Sequence, residues 1–280
     1  MPYPDPRVAI ATLHGKAEAL RPALARVGLV PVTVAVDTDA FGTFSGEIER
    51  RADPRETAIA KARLGMTTSG LPLGLATEGS FGPDPLLGFL PAHHELLAFV
   101  DDTHGQVLVL EQTGRDSNWQ SKTLRHADEA WPLLQASGFP EHAVLVRPNL
   151  FQPGMPVAKG LRDPAAVAAA IAHAAALSAD GLARLDTDMR AHMNPTRMRR
   201  IAALGEALAQ RLATPCPACG TPGFGLTGTE PGLPCELCGE ATDLVRDEIH
   251  GCGVCGVRET RPRADGRTAA DAGHCPECNP

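Results

Sequence analysis

The chain has 280 residues, 43 % of them hydrophobic, with 26 Lys and Arg against 33 Asp and Glu for a formal charge of −7. That is enough apolar material for a buried core in one to three domains. The acidic balance argues against a chain that coats nucleic acid non-specifically, although a local basic patch could still act. The N-terminal MPYPDPR has no basic n-region and no apolar h-region, and no run of 18 apolar residues occurs, so neither a signal peptide nor a membrane span is expected. The expected compartment is the cytosol. Arg outnumbers Lys 22 to 4, which draws attention to Lys16, Lys61, Lys122 and Lys159 as positions where lysine itself is needed.

In chain order, VAIATL (8–13) reads as a buried strand, residues 16–27 as a helix with Leu20, Leu24 and Val27 on one face, and VPVTVAV (30–36) as a second strand. This β-α-β opening predicts an α/β domain. Asp53-Pro54-Arg55-Glu56 predicts a helix start to about Met66, with Glu56 as the far half of a capping box. LPLGLAT (71–77) predicts the next strand and places Glu78 just beyond its end. LLAFV (96–100), QVLVLE (106–111) and AVLVRP (143–148) are further strands. Asp163-Pro164 opens an Ala-rich helix to about Ser178, ARLDTD is a candidate last strand, and Asn194-Pro195 opens a helix with Met198, Ile201, Leu204, Leu208 and Leu212 on one face.

From Thr214 the chain becomes rich in Gly, Pro and Cys. All eight cysteines fall there as four C-x2-C knuckles, 216/219, 235/238, 252/255 and 275/278. Each knuckle offers two thiolates, so Cys216, Cys219, Cys235, Cys238, Cys252, Cys255, Cys275 and Cys278 make two four-thiolate zinc sites. Disulfides do not suit a cytosolic chain, and iron is the lesser alternative. The two Zn2+ ions are expected to be structural, because a closed site leaves no position for substrate. Pairing in sequence order is preferred, with a crossed arrangement left open. The predicted architecture is therefore an α/β domain with a mixed sheet and flanking helices over 1–160, a helical extension over 161–213 and a zinc-ribbon-like tail over 214–280.

Four stretches of the α/β part hold candidate chemistry. In ATLHGKAEAL, Lys16 opens a helix and can hold an anion there. DTDAFGTFSGEIERR (37–51) gathers acids, glycines and two phenylalanines. ETAIAKA carries Glu56 and Lys61. GLATEGSFG puts Glu78 at a strand end, where ligands of α/β folds gather. In the order ATLHGK, ETAIAKA, GLATEGSFG, residues 7–110 resemble the inosine-triphosphatase-like and Maf-like nucleoside-triphosphate pyrophosphatases. His14 stands where those proteins carry Asn. The resemblance implies that Lys16 holds phosphate while Glu56 and Glu78 bind Mg2+ or orient water.

Over nearly its whole length the chain resembles a bacterial domain-of-unknown-function family that shares GTFSGEIER-, TEGSFGP- and TDMRAHMNPTR-like motifs followed by cysteine knuckles. This implies a common architecture and no particular activity. Within LDTDMRAHMNPTRMRR (185–200), Asn194 and Pro195 are explained as a helix cap. Asp188, Arg190, His192 and Arg197 have no evident structural need, and an Arg pair at a helix start suits phosphate or carboxylate. The expected function is a Mg2+-dependent enzyme acting on a nucleotide or other phosphorylated small molecule. Lys16, Glu56 and Glu78 would be catalytic, and Lys61, Asp188, Arg190 and Arg197 would bind substrate. The alternative is a nucleic-acid-binding or adaptor protein that works through the zinc tail.

Overall fold

The computed structural model describes residues 3–12, 15–36 and 53–279. His14 and the segment 37–51 named above lie outside the described residues. The chain begins β1 (Arg7–Ala11), α1 (Lys16–Ala25), β2 (Val30–Val34), α2 (Pro54–Ser69), β3 (Leu73–Pro83), β4 (Pro91–Asp101) and β5 (Gln106–Gly114). These strands form one sheet in the order β2-β1-β3-β4-β5. β1 runs parallel to both β2 and β3, and the β3-β4-β5 meander is antiparallel.

From β1 the chain crosses one way to β2 and then back past β1 to β3. Right-handed crossovers in opposite directions put α1 and α2 on opposite faces of the sheet. The alternation of β-strand side chains then divides the core. Val8, Ile10, Leu73, Leu75, Leu97 and Phe99 pack under α1 and α5 (Pro195–Leu212). Ala9, Ala76 and Val100 pack against Ala62 and Met66 of α2. The cap and proline at the α2 start are as expected: Pro54 sits in the first turn, and Asp53 accepts the backbone N–H of Arg55 at 2.8 Å and of Glu56 at 3.3 Å, but the return bond from the Glu56 side chain that would complete the expected capping box is not formed among the described residues.

One expectation is corrected here. β3 does not stop at Thr77 but continues to Pro83, and Glu78 pairs with Leu96 in mid-strand. What ends near Thr77 is the partner on the other side. The β1–β3 pairing stops at Ile10↔Leu75, and beyond it β3 has no strand paired on its β1 side among the described residues. The antiparallel hairpin with β4 carries the strand onward, a contribution that the local sequence pattern does not contain.

A second sheet follows, built from β6 (Ser121–Leu124), β7 (Val144–Pro148), β8 (Ala158–Leu161) and β9 (Ala183–Thr187) in the order β6-β9-β7-β8. Its core gathers Leu133 and Leu134 of α3 (Trp131–Ser137) and Val167, Ile171 and Ala174 of α4 (Pro164–Leu177). The stretch 161–213 is thus shared between two layers. α4 and β9 belong to the second sheet, with β9 between β6 and β7, while α5 returns to cover the first. In the tail, β10 (Gly225–Pro231), β11 (Val245–Gly251) and β12 (Arg258–Pro262) form a three-stranded antiparallel sheet. Among the described residues no helix is long and apolar enough to cross a membrane.

Candidate functional site

The strand order changes direction between β1 and β3, and ligands of open α/β sheets gather at the carboxyl ends of strands at such a point. Lys16 stands there. It is the first residue of α1, half-buried, and its Nζ donates to the Thr77 carbonyl at 3.3 Å. That carbonyl lies on β3 past its last pair with β1. Thr77 is itself buried and its Oγ1 has no hydrogen-bond partner among the described residues. Burial first, and then the nearby Arg197 guanidinium, push the Lys16 ammonium down to about 8, against the opposing pull of Glu78 and Glu95.

The charges around Lys16 are matched in pairs, one on each face of the sheet. On the α2 face Glu78 is held by Lys61, two turns into α2, and both side chains are about a tenth exposed. On the α5 face Glu95 is fully buried and accepts from Arg197 Nε at 2.8 Å and Nη2 at 3.0 Å. The third guanidinium nitrogen donates to the Met189 carbonyl at 2.7 Å. A buried charge is tolerated only when paired and hydrogen-bonded, and this two-point fork meets both conditions. Arg197 also lies over the Phe81 ring at 5.1 Å.

Gly79 makes this arrangement possible. A Cβ there would lie 2.5 Å from Glu95 Oε2 and 2.6 Å from Arg197 Nη2. The glycine of the TEGSFG segment is therefore the slot in which the Arg197–Glu95 pair lies. Glu95 is the member that sequence reasoning missed. A signal was available: His93, Glu95, Leu97 and Phe99 alternate onto one face, and an acid in line with core residues requires a cation facing it.

The remaining expected residues fall in different places. Glu56 is exposed in the first turn of α2, with its backbone N–H on the Asp53 cap, and does not join the groups around Glu78. Asp188 is fully buried and accepts the Gly160 backbone N–H at 3.0 Å. Arg190 folds back on Asp188, with Nη2 to Oδ2 at 2.7 Å. This pair ties the loop after β9 to β8, which is a structural duty that the sequence did not reveal. Asn194 caps α5 by accepting the Arg197 N–H at 3.0 Å, as its type predicts.

The eight cysteines form two clusters, in each of which the four sulfurs lie within 4.8 Å of one another. The pairing is crossed, which corrects the preferred sequential one. Cys216 and Cys219 meet Cys252 and Cys255, and Cys235 and Cys238 meet Cys275 and Cys278. The strand register dictates this. Gly225 at the start of β10 lies opposite Gly251 at the end of β11, so the first and third knuckles share one end of the sheet. The second knuckle lies in the β10–β11 connection at the other end, where β12 delivers the fourth by pairing Pro262 with Asp247. Sequential pairing would have to bring both ends of β10 together.

Sulfur separations of 3.6 to 3.9 Å link the knuckles. Four sulfurs about 2.3 Å from a central zinc stand about 3.8 Å apart, so each cluster could hold one zinc ion. Backbone N–H groups of Leu237 and Val254 point at Cys235 and Cys252 Sγ, both at 3.4 Å, which is support of the kind a thiolate needs. Among the described residues these are the only clusters of three or more His, Cys, Asp or Glu donor atoms. No such set surrounds Glu78 or Glu56, so the expected Mg2+ has no donor set among the described residues.

The tail is not basic. From residue 214 onward it carries ten acids against five arginines. Arg246, Arg261 and Arg263 are each paired with an acid, on Asp247, Glu259 and Asp265.

Fold and site together define an α/β protein with two sheets and an interleaved pair of four-cysteine clusters on a small third one. The chain belongs to the family described as Domain of unknown function (DUF6671), whose model matches residues 61–280. The match includes Lys61, Glu78, Arg197 and all eight cysteines, and it leaves out Lys16 and Glu56. Neither a curated protein nor a solved structure matches the chain.

Proposed function

We propose that the protein binds a phosphate-bearing small molecule, a nucleotide or a compound of similar charge, at the carboxyl end of β1, and that its tail holds two structural zinc ions. The observation that carries the first part is the setting of Lys16. It is a cation at the switch point of the sheet, and among the described residues it lies beside a buried hydroxyl with no partner and makes no ion pair. Its neighbours Glu78 and Glu95 are already held by Lys61 and Arg197. An incoming anion would meet Lys16 as the uncommitted charge, with the Thr77 hydroxyl as a further donor. In this reading Glu78 and Glu95 fix the cationic frame and do not ligate a metal. The zinc part rests on sulfur spacing and on the small apolar content of the tail, which needs such staples to fold.

Isothermal titration with pyrophosphate and a panel of nucleotides tests the first part. Binding to the wild-type chain that disappears in Lys16→Gln, with the fold intact by circular dichroism, is the expected result. No heat and no shift in melting temperature from any member of the panel would refute it. A Mg2+-dependent release of pyrophosphate from a nucleotide, lost in Glu78→Gln, would instead establish the hydrolytic enzyme. A nucleic-acid role for the tail has little charge to support it, since tetrathiolate zinc is itself anionic and the acids outnumber the arginines.

A further inference from the structure

The second sheet ends on one side at β6, and the hydrogen bonds around β9 show which way the β6 backbone groups face. In an antiparallel ladder, alternate residues of a strand bond to opposite neighbours. The Asp188 N–H donates to the Ala143 carbonyl, and the Asn149 N–H to the Leu182 carbonyl, so the even-numbered residues of β9 face β7. The Thr187 N–H donates to the Gln120 carbonyl, so the odd-numbered ones face β6. In the register of β6 with β9, this assigns Lys122 and Leu124 to the ladder. The backbone N–H and C=O groups of Ser121 and Thr123 therefore point away from β9, and no strand pairs with them among the described residues.

A cleft of about 410 Å³ runs along this edge, and residues 119–123 line one side of it in unbroken succession. Neighbouring strand residues point their side chains to opposite faces of a sheet, so consecutive residues share one cleft along the backbone edge. Lys122 and Thr123 are both exposed, as an open edge requires. The facing wall is the tip of the β3–β4 hairpin, where Phe89 is 82 % exposed. The charge of the lining is one-sided. Lys122 and Arg184 line the cleft, and no acid does so among the described residues. Arg184 is the register partner of Arg147, and the two guanidiniums share the Asp186 carboxylate at 3.3 and 3.5 Å. Lys122 Nζ donates to the Glu129 carbonyl at 2.8 Å, while the Glu129 carboxylate accepts the backbone N–H groups of Arg125 and His126. An open strand edge beside an apolar wall is a setting in which a sheet accepts an added strand.

We propose that the outer edge of β6 is a docking site for an extended acidic peptide of a partner protein, which enters the cleft and adds a strand to the second sheet. The outward groups of Ser121 and Thr123 supply the main-chain hydrogen bonds. Lys122 and Arg184 select acidic side chains, and Phe89 offers contact to apolar ones. A second copy of the same edge would set Lys122 and Arg184 against like charges, so the charge favours a foreign acidic strand over self-pairing. Lys16 takes no part, so this site and the phosphate reading stand or fall separately.

NMR titration of the full-length protein with a capped hexapeptide of alternating valine and aspartate tests the proposal. This peptide is expected to bind. Its counterpart with lysine for aspartate, and the acidic peptide methylated on its backbone amides, are not. Thr123→Pro removes an outward N–H and spares the β6–β9 ladder, so it should abolish binding with the circular dichroism spectrum unchanged. Thr123→Val keeps that N–H and should bind as the wild type does. Arg184→Gln should weaken binding about two- to fivefold. On binding, the amide protons of Ser121 and Thr123 should exchange more slowly with solvent. Should Thr123→Pro fail to fold, the exchange rates and the methylated peptide decide. No binding of the acidic peptide, equal binding of the lysine peptide, or unchanged exchange at both amides overturns the proposal. Preference for a single-stranded oligonucleotide over the peptide also overturns it. So does a dimer that Thr123→Pro dissociates, since the edge would then belong to a second copy.

Discussion

Arg197 and Glu95 lie 102 residues apart in the chain and meet through two hydrogen bonds of 2.8 and 3.0 Å directly over Gly79. Three elements converge on that contact: the first turn of α5, the middle of β4 and the middle of β3. The contact therefore fixes the helix to the sheet at the level of Lys16.

Removing one partner should be costly. Glu95→Gln leaves a buried guanidinium without its counter-charge, a loss of about 3–5 kcal/mol. In a chain of this size that lowers the melting temperature by about 10 °C. Replacing both with apolar residues, as Glu95→Leu with Arg197→Met, should recover most of the loss, because it removes both desolvation costs together. Gly79→Ala should resemble Glu95→Gln although it deletes no interaction, since its methyl group occupies the space of the pair. Differential scanning calorimetry of the three variants checks the pattern.

The proton on Lys16 should govern anion affinity. With the ammonium pushed down to about 8 from its ordinary 10.5, raising the pH from 7 to 9 removes the charge that an anion meets. Affinity for sulfate, which does not titrate in this range, should fall over that interval and should change little in Lys16→Gln. Stability moves the other way. Between pH 8 and 10.5 the unfolded chain binds the Lys16 proton more tightly than the folded one, so this residue makes the fold more stable as pH rises. Denaturant titrations at pH 7.5 and 10 in wild type and Lys16→Met measure its share.

Glu78→Gln separates two roles for that carboxylate. If Glu78 holds Lys61 and its charge offsets that of Lys16, the amide should strengthen anion binding severalfold while lowering stability, because the buried Lys61 loses the Glu78 counter-charge. If Glu78 is a metal ligand, the amide should abolish Mg2+-dependent binding. Calorimetric titration with pyrophosphate, with and without Mg2+, tells them apart.

The crossed cysteine pairing has its own signature. Elemental analysis should return two zinc ions per chain. Replacing Cys216 and Cys252 together should remove one ion, since both belong to one cluster. Replacing Cys216 and Cys235 together should weaken both sites, because each cluster then keeps only three thiolates. Sequential pairing would give the reverse pattern.

Much of the fold is legible in the sequence where the signal is local. The Asp53, Asp163 and Asn194 caps each accept a backbone N–H of the helix that they open. The strands around Ile10, Leu75 and Val146 stand where apolar β-rich runs place them. What the sequence does not carry is pairing between distant segments. β6 and β8 are short and become strands only by pairing with β9 and β7. β3 is extended by its hairpin with β4. At the candidate site, Lys16, Lys61, Glu78 and Arg197 are gathered together. Glu56 is not, because its first-turn position faces solvent. Glu95 was hidden because it looks like a charge following two histidines and reveals its need only once the face of β4 is known.

The interleaving of the two cysteine clusters has a consequence for synthesis. As the chain is made, the knuckle at 235/238 appears after the one at 216/219 and before its true partner at 275/278 exists. A zinc ion captured early by the first two knuckles would be held by the wrong four thiolates. It could reach the folded arrangement only by exchanging ligands after β11 has brought Cys252 and Cys255 alongside. Metal loading and the order of strand pairing are thus linked in time. The yield of correctly folded protein should depend on whether zinc arrives before or after the last knuckle has been made.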